Sequence, residues 1–456
     1  MRRPTIRSLA GGAAGIAAGV IGGITLSSVS AGAVSPPLAP ELVDAAHVPP
    51  VLTLPGEPVI LRYAIVCAPR EDGRPCAGSG EVYVRAGHSG PFQRLSLQRG
   101  ADSKDGRYFV ELPPELASSR EGFSYYAVLR DDSTGASTTL PSGGAAAPQQ
   151  SFPLRDPVDV DLGTHPFGRV RLHDARVVDA RWGSRVGDVG LSGSRELGFV
   201  GPSAFDVGAD GAVTMLDEVN GRAERWSGGR PVVTPLAVSG GLADFAVEPD
   251  GTMDVLEPAN RTTARSVLRS FRQDGSLKWA QSLSDRTWSK LAAGPDGPLV
   301  QQQPSEQWLP ASEDSAPLDR AAQGKRGRSG RPLARGRELV VERIGVGELR
   351  LAEVAGNAVV RSWRITSSTP LGEVQLAEPH GNRLVVVMKT YTDDRDEYLV
   401  LVVNGSGVAE RFSVAAAEWA ESAPLARFRL AGSSLYQLGS TPAGAFVDRF
   451  DLEAPR

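Results

Sequence analysis

His47, His88, His165, His173 and His380 are the whole stock of imidazole in this chain of 456 residues. Imidazole is the commonest general base and zinc ligand near neutral pH, so its distribution bears on any catalytic reading. His47 lies in a proline-rich stretch, His88 in the turn-like AGHSGP, and His380 in a turn between strand-like runs. His165 and His173 are the one close pair, and their spacing matches no zinc motif. No Gly-x-Ser-x-Gly elbow is present, and a Ser–His–acid set on another scaffold has no fixed order to search for. No cofactor is expected.

Three other clusters carry chemical meaning. Asp156, Asp159 and Asp161 in RDPVDVDLG are hard oxygen ligands close together, a candidate Ca²⁺ site. Their spacing is not that of an EF-hand, and solvated acids beside prolines are the competing reading. Cys67 and Cys76 flank the turn-forming APREDGRP and are expected to close that hairpin as a disulfide in an oxidising compartment. Residues 320–337 hold Arg320, Lys325, Arg326, Arg328, Arg331, Arg335 and Arg337 with no acid. Lys325, Arg326, Arg328, Arg331, Arg335 and Arg337 are candidate contacts to an anionic cell-envelope polymer or lipid headgroup. The alternative is an insertion tolerated between repeats. Nucleic acid is disfavoured by the net charge of −4 and by the lack of interleaved aromatics.

These residues must be positioned by short strands. Glycine at 52 and proline at 34 suit many strands joined by turns. Residues 1–33 read as a secretory signal: Arg2, Arg3 and Arg7, then LAGGAAGIAAGVIGGITL, then Ala31-Gly32-Ala33. An uncleaved membrane anchor is the other reading. Residues 34–54 are expected to be a proline-rich linker. Residues 55–152 hold six or seven alternating runs, among them VILRYAIVC, GEVYVRAG and FSYYAVLRD, expected to form an antiparallel sandwich of immunoglobulin or fibronectin type III kind. Residues 139–150 read as a flexible join, and 153–165 as a second linker.

Within 166–454 one pattern is written twice, forty positions apart. GPSAFDVGADGAVTMLDEVNGR begins at 201 and GLADFAVEPDGTMDVLEPANRT at 241. Phe205, Asp210, Gly211, Leu216 and Asn220 correspond to Phe245, Asp250, Gly251, Leu256 and Asn260. Asp296-Gly297 opens a weaker copy, and three more follow at 337–365, 374–414 and 425–452. Each copy supplies about four strands, the size of one propeller blade. A lone four-stranded sheet cannot bury two apolar faces; copies packed radially can. Residues 168–183 precede the first copy, and the last copy is short, so the early strand is expected to complete it. A second sandwich with chance Asp-Gly turns is the alternative.

The first copy resembles an NHL repeat. Trp182-Gly183-Ser184, Gly187, Pro202, Asp210-Gly211, Leu216-Asp217, Asn220 and Arg222 stand where that pattern places its aromatic-Gly-Ser, Gly, Pro, Asp-Gly, Leu-Asp and Asn-x-Arg. The likeness covers about a fifth of the chain well. It implies a six-bladed propeller and, for function, a binding platform; the metal-holding histidines of enzymatic relatives with this fold are missing. The whole reads as an all-β protein, an N-terminal β-sandwich followed by a six-bladed β-propeller. It is expected to be secreted or envelope-associated and to bind an extracellular protein or glycan. A propeller-channel hydrolase or lyase and a structural envelope protein are the alternatives.

Overall fold

The computed structural model describes residues 44–66, 77–100, 107–239, 241–259, 265–283, 288–294, 297–302, 307–313, 330–423 and 425–453, all within one compact unit, residues 40–456. The signal-like residues 1–33, Cys67 and Cys76 lie outside the described residues. The protein is all-β, and its strands follow the alternation that the sequence carries. In Ile60–Val66, for instance, Leu61, Tyr63 and Ile65 turn inward while Ile60 and Val66 are exposed.

Residues 44–150 form two sheets that share one core. Asp44–His47, Ile60–Val66, Arg107–Glu111 and Gln98–Arg99 make the first; Gln149–Gln150, Phe123–Asp131, Gly78–Ala86 and Gln93–Ser96 make the second, with Ser137–Leu140 beside Phe123–Asp131. Leu61, Tyr63, Val110, Val82, Phe123 and Leu129 interlock between them. Two stretches expected to be linker or join are instead folded. Residues 44–47 add an edge strand, and Gln149–Gln150 is buried against Tyr125 and Ser124.

Among the described residues, six further sheets of three or more strands follow. Sheet I is Ala204–Val207, Val213–Asp217, Arg222–Trp226 and Val232–Pro235. Sheet II is Asp244–Val247, Met253–Glu257, Val267–Phe271 and Leu277–Ser282. Sheet III is Trp288–Gly294, Gly297–Gln302 and Gln307–Pro310; sheet IV is Arg331–Pro332, Arg337–Ile344, Glu348–Ala355 and Ala358–Thr366. Sheet V is Leu371–His380, Arg383–Tyr391, Asp396–Asn404 and Gly407–Ala415. Sheet VI is Phe428–Ala431, Ser434–Thr441 and Gly444–Asp451, completed by Ala175–Arg181.

The forty-residue echo is two neighbouring sheets in the same register. Phe205 lies opposite Met215, and Phe245 opposite Val255. Asp210 Oδ1 accepts the Ala212 amide at 3.1 Å, and Asp250 Oδ1 the Thr252 amide at 2.8 Å. Gly211 at φ 77° and Gly251 at φ 85° occupy the left-handed conformation these turns require. Asn260 and Asp296 lie outside the described residues. First strands adjoin first strands: Ala204–Val207 lies beside Asp244–Val247 and Phe428–Ala431, and Asp244–Val247 beside Trp288–Gly294. Apolar clusters join sheets I and II, II and III, IV and V, V and VI, and VI and I.

The segment expected to be a linker at 153–165 is a strand and the start of a belt. Val158–Asp161 pairs in parallel with the Trp363–Thr366 part of sheet IV. The chain then crosses sheet V, where the Arg171 amide donates to Ser413 O at 2.7 Å, Arg171 pairs with Glu410, and Arg411 donates to Leu162 O. It next becomes the outer strand of sheet VI, with Ala175 opposite Arg449. One stretch of chain thus ties three sheets together. The face of sheet IV turned away from sheet V is covered by Val51, Leu52, Phe152 and Leu154, which pack on Val340, Ala352 and Val354.

Candidate functional site

Antiparallel order fixes where the loops emerge. The outer strand of one sheet leads to the first strand of the next, so crossovers 182–203, 236–243, 367–370 and 416–427 share one end with the turns between second and third strands. The Asp210-Gly211 and Asp250-Gly251 turns lie at the opposite end.

First strands carry charged residues: Asp206, Asp244, Lys290, Arg331, Glu378 and Arg429, with Asp206 one residue after the shared phenylalanine position and Asp244 one before it. Asp206 accepts the Val207 amide at 2.8 Å and the Val247 amide of sheet II at 2.7 Å. Asp244 accepts the Phe245 amide at 2.8 Å and the Leu291 amide of sheet III at 2.7 Å. Each carboxylate therefore bridges its own strand to the next. Arg429 donates to Asp244 Oδ1 and Phe245 O at 3.0 Å, Arg331 pairs with Glu378, and Lys290 Nζ donates to Gln375 O at 3.1 Å. Burial raises the pKa of Asp206, with Arg429 opposing, and lowers that of Lys290 to about 8, with Arg429 adding to the effect. The arrangement is a latch of ion pairs holding first strands together. Sequence reading missed it, although single charges inside AFDV, WSKL and FRLA were its signal.

The NHL-like residues also hold structure. Arg222, Asp217 and Glu224 are buried at the end where the crossovers lie. Arg222 donates to Ser184 O at 2.8 Å and to Arg185 O and Asp188 O at 2.9 Å, and it pairs with Asp217 and Glu224. Asn220 Nδ2 reaches Gly183 O at 3.0 Å, the Gly190 amide donates to Asp217 at 3.1 Å, and the Gly187 amide to Glu224 at 3.0 Å. Loop 183–190 is thereby pinned by charge-assisted bonds. Beyond it a hairpin of Ser192–Ser194 and Gly198–Val200 stands out. Phe199 stacks on Trp419 at 4.7 Å, Trp182 lies 5.9 Å from Trp419, and Leu197 at the hairpin tip is 86% exposed.

Among the described residues the histidines make separate contacts. Buried His165 Nε2 lies 2.9 Å from Glu397 Oε2 and 3.4 Å from Ser413 Oγ. A relay needs the acid and the hydroxyl on opposite ring nitrogens; here both face one, so the trio secures the belt. His173 pairs with Asp448, and His165 and His173 do not converge. His47 stacks on Tyr63 and bonds the Tyr125 hydroxyl at 2.7 Å; burial lowers its pKa to about 4.

The remaining predicted residues are placed as follows. Asp161 accepts the Gly163 amide at 2.9 Å, Asp159 lies 3.9 Å from Arg364, and Asp156 sits in a turn at φ 50°. Strand geometry spreads these carboxylates instead of gathering them, and no group of three or more acids, histidines or cysteines among the described residues is arranged to hold a metal. Of the basic run, Lys325, Arg326 and Arg328 lie outside the described residues. Arg331 is taken by Glu378 and Arg337 by Glu353, so those two are not free anion contacts; Arg335 is exposed in a tight turn.

No family model matches the chain, and no curated protein does either. Solved structures similar to it include hydrazine synthase of Kuenenia stuttgartiensis, 13% identical, with 52% of this chain aligned to 72% of that one at a TM-score of 0.31. Apo AztD from Citrobacter koseri is 12% identical over 83% and 96% at 0.25. The β-propeller domain of the Trilobed protease from Pyrococcus furiosus is 8% identical over 81% and 93% at 0.23. The sheet pairings themselves carry the architecture.

Proposed function

We propose that the chain is a binding scaffold: an immunoglobulin- or fibronectin-like two-sheet domain followed by a six-bladed, NHL-like propeller whose crossover end presents the recognition loops. What supports the reading is the contrast between the two regions. The first strands are latched to one another by ion pairs, while the crossover end projects a hairpin with Leu197 in solvent beside the Trp182–Trp419–Phe199 row. Exposed large apolar groups beside aromatics mark interaction surfaces. The signal-like N-terminus supports secretion or envelope association, and with it an extracellular protein or glycan partner.

The carrying observation is the exposed Leu197 on the hairpin beyond the pinned loop. The test is capture of partners from the surface extract of the producing cell, and binding to a glycan array, by wild type and by Leu197→Asp. Leu197→Asp is expected to melt like wild type and to lose about tenfold or more in capture. Equal capture by both proteins would place recognition elsewhere.

A further inference from the structure

The outer edge of sheet IV is only partly covered. Val158–Asp161 pairs with residues 363–366 of the Ala358–Thr366 strand. Just before Val158 the chain turns away: Asp156 adopts φ 50°, and Pro157 has no amide to donate. Residues 358, 359, 361 and 362 pair with the Glu348–Ala355 strand on one side, with Val360 bulging between them, and on the other side no strand pairs with them among the described residues. That open edge lines a groove of about 800 Å³ walled by Arg120, Phe152, Arg155, Val360 and Arg361. The volume lies within the range of ligand clefts, and clefts of this kind favour domain junctions. Val360 is 53% exposed in it, and Arg155 donates to Arg120 O at 2.8 Å.

We propose that this groove binds an extended acidic–aliphatic peptide of a partner protein, added as a strand to residues 358–362 in line with Val158–Asp161. An open edge offers unpaired amides and carbonyls to such a segment, and alternating side chains then supply specificity. The occupant's chemistry is read from the strand already seated on this edge. In Val158–Asp161, Val160 packs into the core between sheets IV and V while Asp159 faces Arg364 at 3.9 Å. The uncovered stretch offers an apolar floor on the other face of the sheet, where Val359 packs with Phe152, and has Arg120 and Arg155 as its cations, Arg361 being held by Glu353 and Asn382 O. Five strand residues span about 16 Å. Glu121 and Asp156 share the rim.

The probe is a fluorescent, acetylated Val-Asp-Val-Asp-Val amide, titrated into the full chain by anisotropy. Saturable binding is expected, about tenfold or more weaker in Arg120→Glu/Arg155→Glu. N-methylation of alternate residues is expected to abolish binding in one of its two frames and spare it in the other, because alternate amides face the edge strand. Amide exchange at 358–362 is expected to slow when the peptide is bound. Absence of saturation up to millimolar peptide, equal binding in both N-methyl frames, or unchanged exchange at 358–362 would overturn the inference. Leu197→Asp leaves this binding intact, so failure here and failure of the crossover-end reading are separable.

Discussion

Asp254→Asn tests the energetics of the repeat interior most directly. Asp254 lies on the second strand of sheet II, opposite Ala246 and Ser270, with no exposed surface. Neither carboxyl oxygen has a hydrogen-bond partner of good geometry among the described residues. Burial pushes its pKa up from 3.8 to about 6, with the Ser270 hydroxyl and Lys278 pulling the other way and Asp250 adding to the rise. Glu248 beside it is pushed up to about 7 by burial, then by Asp254, Asp250 and Asp206. A raised carboxyl pKa means that the folded state holds a proton the unfolded chain has released. Stability is therefore complete below about pH 4 and falls as pH rises through the folded value. A shift of about two units for Asp254 corresponds to about 3 kcal/mol lost by pH 7. Asparagine keeps the shape and cannot ionise. Denaturant unfolding of wild type and variant at each pH from 4 to 8 reads the effect. The advantage of Asp254→Asn is expected to grow by about 3 kcal/mol from pH 4 to pH 8, while Glu248 leaves a residual slope in both proteins up to about pH 7. A stability difference that stays constant across that range would refute the account, whatever its sign.

Arg222→Ala is expected to cost about 3–5 kcal/mol, because it strands buried Asp217 and Glu224 and unties loop 183–190; melting and limited proteolysis within 183–190 report it. Phe205→Ala and Phe245→Ala are expected to cost about 3–5 kcal/mol each and to agree within about 1 kcal/mol, as equivalent positions should; unequal denaturation midpoints would contradict the shared register. In Gly444→Ala the new methyl meets Ala180 O, so the Ala175–Arg181 strand that completes sheet VI is forced away. A loss of about 1–3 kcal/mol and new protease sensitivity at 166–181 are expected.

What the sequence made legible was local. The Asp-Gly turns and Phe-x-Val strands of 201–222 and 241–262 are readable because each turn needs its own residues and each strand its own alternation. The closing strand was readable for the same reason: the last copy lacks a strand that residues 168–183 could supply, and Ala175–Arg181 supplies it. What escaped was pairing at long range. Val-Asp-Val-Asp between prolines resembles a solvated linker until its partner, two hundred residues on, is known. Arg331 and Arg337 looked like members of a free basic run because Glu378 and Glu353 are distant in sequence. The charges at Asp206, Asp244 and Arg429 look unremarkable singly, and only adjacency of first strands turns them into a latch.

The covered face of sheet IV changes what the N-terminal sheets are for. Sheets I and II, II and III, IV and V, V and VI, and VI and I each meet through an apolar cluster, and among the described residues none joins III to IV. On sheet IV, Val51, Leu52, Phe152 and Leu154 pack on Val340, Ala352 and Val354. The polar contacts at that junction are also specific. Buried Arg350 donates to Leu52 O at 2.9 Å and pairs with Glu57, and Glu342 accepts the Val51 amide at 3.1 Å. A truncated chain beginning at 166 would lose these contacts and the Val158–Asp161 strand together. It would take Glu57 and Leu52 O from Arg350 and leave it Glu348 alone, and weakening the pairing of a buried charge is destabilising. Such a fragment is expected to aggregate or unfold cooperatively below the melting temperature of the full chain, with Val340 and Val354 the exposed liability. Independent folding of residues 166–453 at full stability would show that the two-sheet domain is an appendage and that sheet IV does not need its cover.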